Sequence, residues 1–193
     1  MPGVCGVVLA GGRSRRKGRD KAWITVGGRP RVLHQAARLA TVFDEVVVSA
    51  KEPGPFASTG LRVVVEPEGE HAAIFGIRAA LRELGRPIFA LAVDLPRFPP
   101  ALAAALARDL VESGRPCAVP VAAGRIEGLC AAYAPEILPA IERGIAAGRL
   151  AIREVVAECE GALRDESFWG RWGGPESFEN WNRPEDHDAR ENG

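Results

Sequence analysis

Val4-Cys5-Gly6-Val7-Val8-Leu9-Ala10-Gly11-Gly12-Arg13-Ser14-Arg15-Arg16-Lys17-Gly18-Arg19-Asp20-Lys21 passes, within eighteen residues, from unbroken apolar sequence to dense positive charge. Val4 to Ala10 suits a strand in the middle of a sheet. Gly11 and Gly12 then remove the side chains, so backbone N–H groups are open to a ligand. Arg13, Arg15, Arg16, Lys17, Arg19 and Lys21 follow, six cations in nine positions. The C-terminal end of such a strand is where an open α/β sheet binds ligands. An apolar strand, a bare backbone and clustered cations together indicate a polyphosphate site. A solvated basic turn is the simpler reading, but six cations this close repel one another unless an anion neutralises them.

The two commonest phosphate loops do not fit. Gly18 lies six positions after Gly12, and Arg19 stands where a P-loop has lysine. The glycines after the strand are adjacent, which excludes G-x-G-x-x-G and disfavours a dinucleotide-binding dehydrogenase.

Outward from this segment, strand and helix patterns alternate. Strands are expected at 3–10, 45–50, 61–65, 87–93, 117–121, 129–133 and 161–164. Helices are expected at 31–43, around Ile74, Ile77, Leu81 and Leu84, and at 101–110, 136–145 and 150–157. Gly85 stops the second helix. Residues 51–60 carry two prolines and two glycines and read as loop. The alternation predicts an α/β fold, Rossmann-like, with a mostly parallel central sheet and helices on both faces. Residues 1–182 read as a single domain, and the polar tail 183–193 is expected to fray.

Composition narrows the function classes. The 193 residues carry a formal net charge of +0, so no global basic field favours nucleic acid. No apolar run approaches the ~20 residues of a membrane span. Cys5, Cys117, Cys130 and Cys159 form no C-x-x-C pair, which leaves a zinc site without support. The cytoplasm is the expected location. No G-x-S-x-G elbow supports a serine hydrolase.

Asp94 follows the apolar run 88–93 and precedes Leu95-Pro96. A carboxylate on the same rim as the glycine loop suits Mg²⁺ held against a triphosphate. The alternative is a helix N-cap, weakened because the next helix begins only near Pro100. Asn180 and Asn182 alternate along an extended segment and share a face. They suit a metal or a substrate, and turn chemistry before Pro184 explains them about as well. Trp169, Trp172 and Trp181 read first as packing.

Leu9-Ala10-Gly11-Gly12, the basic stretch and Gly18-Arg19-Asp20-Lys21 resemble the opening of GT-A-like nucleotidyltransferases, and among them the molybdenum cofactor guanylyltransferases, which open L-A-G-G-x-S-x-R-M-G-x-D-K. Asp94-Leu95-Pro96, with Phe98 after it, is similar to the family's D-x-P-F. Arg125 to Tyr133 is similar to R-P-x-P-L-C-A-x-Y, and Phe178 to Asp186 to F-x-N-x-N-T-P-E-D. The four motifs stand in the family's order and cover nearly the whole chain. The resemblance implies transfer of GMP from GTP to the phosphate of molybdopterin, with release of pyrophosphate. It implies that Leu9, Ala10, Gly11 and Gly12 hold the nucleotide through their backbone. Arg16 and Lys21 would hold phosphates, Asp94 would carry Mg²⁺, and Asn180 and Asn182 would face the pterin. Pterin-delivering proteins are further possible partners; nucleic acid and membranes are not expected.

Several positions depart from the family. The methionine of the opening is Lys17. The asparagine at the end of the second strand is Ser49. The family's Glu-Asp pair reads Glu66-Pro67, leaving Glu66 or Glu68 to serve the nucleotide. P-G-P-L-A-G reads His71-Ala72-Ala73-Ile74-Phe75-Gly76, and two prolines are replaced by Ile126 and Gly128. A related enzyme using CTP or another nucleotide with a different phosphorylated acceptor stays open, as does a nucleotide-binding protein with weakened catalysis.

Overall fold

The computed structural model describes residues 1–11, 21–26, 28–67 and 72–181 of the chain, with backbone alone at 21 and 26. β1 (Cys5–Leu9) leads, after a 3-10 turn at Lys21–Trp23, into the short antiparallel pair β2 (Thr25–Val26) and β3 (Arg29–Pro30). Helix α1 (Arg31–Leu39), β4 (Val46–Ala50), β5 (Arg62–Val65), α2 (Ala73–Leu84), β6 (Ile88–Ala92) and α3 (Pro100–Ser113) follow. Then come β7 (Cys117–Ala122), β8 (Arg125–Ile126), β9 (Cys130–Tyr133), α4 (Leu138–Ala146), α5 (Ile152–Ala157), β10 (Ala162–Arg164) and α6 (Glu166–Trp169).

The main sheet runs β10-β7-β9-β6-β1-β4-β5, with β8 attached to β7. β1, β4, β5 and β6 are mutually parallel, and β9 runs against both β6 and β7. The reversal is local in origin. Ala123 and Gly124 both have positive φ, 48° and 74°, and turn β7 back into β8 as a tight hairpin.

Alternation along the strands feeds two cores. Cys5, Val7 and Leu9 face one side with Ile74, Ile77 and Leu81 of α2, Ile141 of α4 and Val155 of α5. Val4, Val8 and Ala10 face the other with Val32, Ala36 and Leu39 of α1, Leu102 and Leu106 of α3, and Trp169. A sheet buried on both faces explains the near-continuous apolar runs of β1 and β6. Gly6 lets α1 lie close: a Cβ there would sit 3.2 Å from both Phe43 and Val46.

Most of the expected elements are present, with shifted ends. The helix expected to Phe43 closes at Leu39, because residues 40–43 turn back onto it (Phe43 N donates to Leu39 O at 2.9 Å). The third helix runs on to Ser113, where Gly114 at φ 62° stops it. Within 51–60, Gly54–Thr59 winds into a 3-10 helix that buries Phe56. Cys5, Cys117 and Cys130 are buried. Burial pushes the Cys5 thiol up to about 11 and that of Cys117 to about 12. The tail 183–193 lies outside the described residues.

Candidate active site at the strand ends

Four strands end together on one rim. Leu9 of β1 pairs with Ala92 of β6 on one side and with Ser49 of β4 on the other. Gly11 and Asp94 therefore both lie two residues beyond a paired position. Hydrogen bonds carry the pairing past the strand ends: Val93 N donates to Leu9 O at 3.4 Å, Ala10 N to Ser49 O at 2.8 Å, and Glu66 N to Ala50 O at 2.8 Å. The sequence placed Leu9, Ala10, Gly11, Ser49, Glu66 and Asp94 at strand ends, and the structure brings them onto a single edge.

Glu66 is the most constrained residue of this edge. Its side chain is only 3% exposed. Ser49 Oγ donates to its Oε1 at 2.9 Å, and Lys51 Nζ approaches its Oε2 at 3.2 Å. Lys51 Nζ also donates to Pro67 O at 2.9 Å. The carboxylate lies against two glycines. A Cβ on Gly11 would fall inside contact distance of both its oxygens, and a Cβ on Gly76 would meet Ser49 Oγ at 2.7 Å and Glu66 Oε1 at 2.8 Å. Gly76, in the first turns of α2, is the glycine that closes the motif read as His71 to Gly76. A buried acid with one cation and one hydroxyl donor is a satisfied charge. It locks β1, β4, β5 and α2 at the point where the glycine loop begins.

Asp94 is half-buried. It caps no helix: α3 begins at Pro100 after Pro99, with no side-chain cap. Gln35 of α1, wholly buried, donates to Leu95 O at 2.7 Å and to Ala92 O at 3.4 Å, and Arg38 donates to Pro96 O. The turn opened by Lys21 packs on this same helix, and Arg31 N donates to Ile24 O at 2.8 Å. A carboxylate that faces phosphate oxygens suits Mg²⁺, which takes one or two protein carboxylates and completes its shell from substrate and water. The donor chemistry of Asp94 fits that ion. Among the described residues no cluster of three or more His, Cys, Asp or Glu offers an all-protein metal cage.

The C-terminal segment docks here as well. Trp181 N donates to Asp94 O at 2.8 Å, so Asn180, exposed and one residue earlier, lies beside Asp94. Trp169 is packing, as expected: it is 3% exposed and its Nε1 donates to Val121 O at 2.9 Å. Gly12, Arg16 and Asn182, and the side chain of Lys21, lie outside the described residues. Sequence reasoning missed Lys51, which stood inside a segment read only as loop. The signal available was a lysine two residues after Ser49, at the end of an apolar strand. Among the described residues no helix is long and apolar enough to cross a membrane.

A family model for the MobA-like NTP transferase domain matches residues 6–162. The chain is 35% identical over 190 residues to a molybdenum cofactor guanylyltransferase of Cereibacter sphaeroides, covering 94% of this chain and 92% of the relative. It is 32% identical to the enzyme of that name from Rhizobium meliloti, covering 93% and 87%. A solved molybdopterin-guanine dinucleotide biosynthesis protein A from Archaeoglobus fulgidus superimposes with TM-score 0.79, at 22% identity, over 96% of this chain and 95% of that one. The 2-C-methyl-D-erythritol 4-phosphate cytidylyltransferase of Thermus thermophilus shares the fold at TM-score 0.67 and 19% identity, with 96% of each chain covered. With its strand ends, its glycine loop and these full-length relatives, the chain belongs to the molybdenum cofactor guanylyltransferase family of MobA-like nucleotidyltransferases.

Proposed function

We propose that this chain transfers GMP from GTP to the terminal phosphate of molybdopterin. An oxygen of the acceptor phosphate forms a bond to the α-phosphorus of GTP. The bond from that phosphorus to the α–β bridging oxygen breaks, and pyrophosphate leaves with the electron pair. The observation that carries this reading is the shared rim: Gly11 and Asp94 two residues beyond the Leu9–Ala92 pair, with Ser49 and Glu66 alongside.

Nucleotidyl transfer asks a protein mainly to align groups and neutralise developing charge. The backbone from Leu9 to Gly12 lies against the nucleotide, with Glu66 behind it fixing the path of Gly11. Ser49 and Glu66, both buried, support the nucleoside side from beneath the loop and do not line it, while Arg16 and Lys21 hold phosphates. Asp94 would hold Mg²⁺, which would supply charge neutralisation at the phosphates. Asn180 and Asn182 take the pterin side.

Release of pyrophosphate from GTP, with Mg²⁺ and molybdopterin supplied, tests the reading. Loss of about a hundred-fold or more in rate is expected for Asp94→Asn, on the scale of removing one electrostatic contact to the transition state. Unaltered turnover in that variant would overturn the assignment. Thermal shifts with GTP, CTP, ATP and UTP, each with Mg²⁺, test the base; a preference for CTP would replace the guanylyl reading with a cytidylyl one.

A further inference from the structure

The loop after β6 reads Asp94-Leu95-Pro96-Arg97-Phe98-Pro99, so a cation stands directly after the proline where the family pattern D-x-P-F has its phenylalanine. The structure shows where the neighbouring aromatic residue lies. Phe98 is 1% exposed and packs against Phe89 at 5.7 Å and edge-on against Phe178 at 5.9 Å. Phe178 in turn meets Trp169 at 5.0 Å. Phe98, one position later, is a core residue of this chain, and Arg97 stands at the motif position of the phenylalanine.

Arg97 is half-buried, and its guanidinium lies over the Trp181 ring, 5.3 Å from the ring centre. It has no ion pair with a described residue. A guanidinium held over an aromatic ring by cation–π attraction keeps N–H donors for an anion. Its place along the rim is defined at both ends. Asp94 is three residues before it, and the Trp181 beneath it is bonded to Asp94 O at 2.8 Å and follows Asn180. The segment is held to this loop again where Gly173 packs on Pro99 (a Cβ there would sit 3.0 Å from the proline ring). Arg97 therefore shares a loop with the carboxylate assigned to the nucleotide's metal and rests on the residue next to the asparagine assigned to the pterin. In a transfer between nucleotide and pterin, the attacking phosphate must come to this neighbourhood.

We propose that Arg97, held over Trp181, receives the terminal phosphate of the acceptor and orients it toward the α-phosphorus. Trp181 is the positioning residue that holds the guanidinium in place. The assignment rests on the guanylyltransferase reading for the identity of the acceptor. It makes this subsite selective for a phosphorylated acceptor, because an arginine fork matches the geometry of a phosphate and not that of a neutral hydroxyl.

The test is equilibrium binding of molybdopterin, followed by its own pterin fluorescence, to the intact chain loaded with a non-hydrolysable GTP analogue and Mg²⁺. Arg97→Met is expected to weaken acceptor binding about ten-fold or more, the scale of a lost charge-assisted hydrogen bond. Affinity for the GTP analogue should stay within about two-fold, and Arg97→Lys should recover part of the loss, keeping charge without the fork. Trp181→Leu should weaken acceptor binding less than Arg97→Met does. Acceptor binding within about two-fold of the parent in Arg97→Met overturns the proposal. So does a parallel fall in affinity for the GTP analogue, which would make Arg97 a purely structural latch. If the parent binds no acceptor, this assignment and the proposed function fall together. Arg97-dependent binding without pyrophosphate release from GTP would leave the phosphate receptor standing and overturn the transfer reading alone.

Discussion

Glu66 shows how one side chain ties the site to the fold. Its carboxylate is buried, takes a hydrogen bond from Ser49 and an ion pair from Lys51, and leaves no room for a Cβ on Gly11. Gly11→Ala should therefore push either the loop or the acid out of place. We expect a loss of about 1–3 kcal/mol in stability, the usual scale of overpacking, together with loss of the GTP-induced thermal shift; an unaltered shift would sink the argument. Lys51→Met removes the cation from a buried acid, and a fall of about 1–3 kcal/mol is expected, the cost of an unmet buried acceptor. Glu66→Gln added to Lys51→Met should regain part of it, and additive losses in denaturant melts would show that the two residues do not act as a pair.

At the scale of elements, the segment from Gly173 to Trp181 behaves as a strap across the loop after β6. Phe98 and Arg97, adjacent in the loop, grip Phe178 and Trp181, three residues apart in the strap. The chain needs this fastening because β10, the edge strand before α6, is only three residues long. β10 has a fastening of its own in Arg164, which reaches Asp109 of α3 through two bonds of 2.8 and 2.6 Å. Phe178→Ala should cost about 3 kcal/mol, at the low end for a buried aromatic. It should raise the KM for the acceptor while leaving that for GTP within about three-fold. Equal effects on both substrates would show that the strap supports the whole site and not its acceptor side.

For the molecule as a whole, one ionisable group predicts how stability follows pH. Burial, helped by Arg38 and Arg29, lowers the pKa of His34 below its ordinary 6.5. The folded chain then binds this proton less readily than the unfolded chain does. The contribution is complete above the unfolded value and is lost as pH falls through the folded one. Thermal melts between about pH 5 and about pH 7.5 should show stability falling on the acid side, with a shallower slope in His34→Gln. An unchanged slope would assign the acid sensitivity to other groups.

The elements and the glycine loop were legible in the sequence because their causes are local. Unbroken apolar runs along 4–10 and 88–93, helical spacing in 74–84, and the glycine at 85 act within a few residues of where they stand. The class of chemistry was legible for the same reason, since the cations follow the strand directly in the chain. Other features needed the sheet. Ser49, Lys51, Glu66 and Gly76 lie on three separate segments, and only the parallel pairing of β4 with β1 and β5 brings them to one carboxylate. Arg31, in sequence merely the start of a helix, is wholly buried in the fold. The aromatic at Phe98 and the cation before it at Arg97 look like a small irregularity when read along the chain. They acquire a meaning only when the strap, some eighty residues later, lays Phe178 and Trp181 against them. Periodicity reports which face a residue turns to its own neighbours; it carries no information about which distant segment arrives on that face, and that is settled by packing.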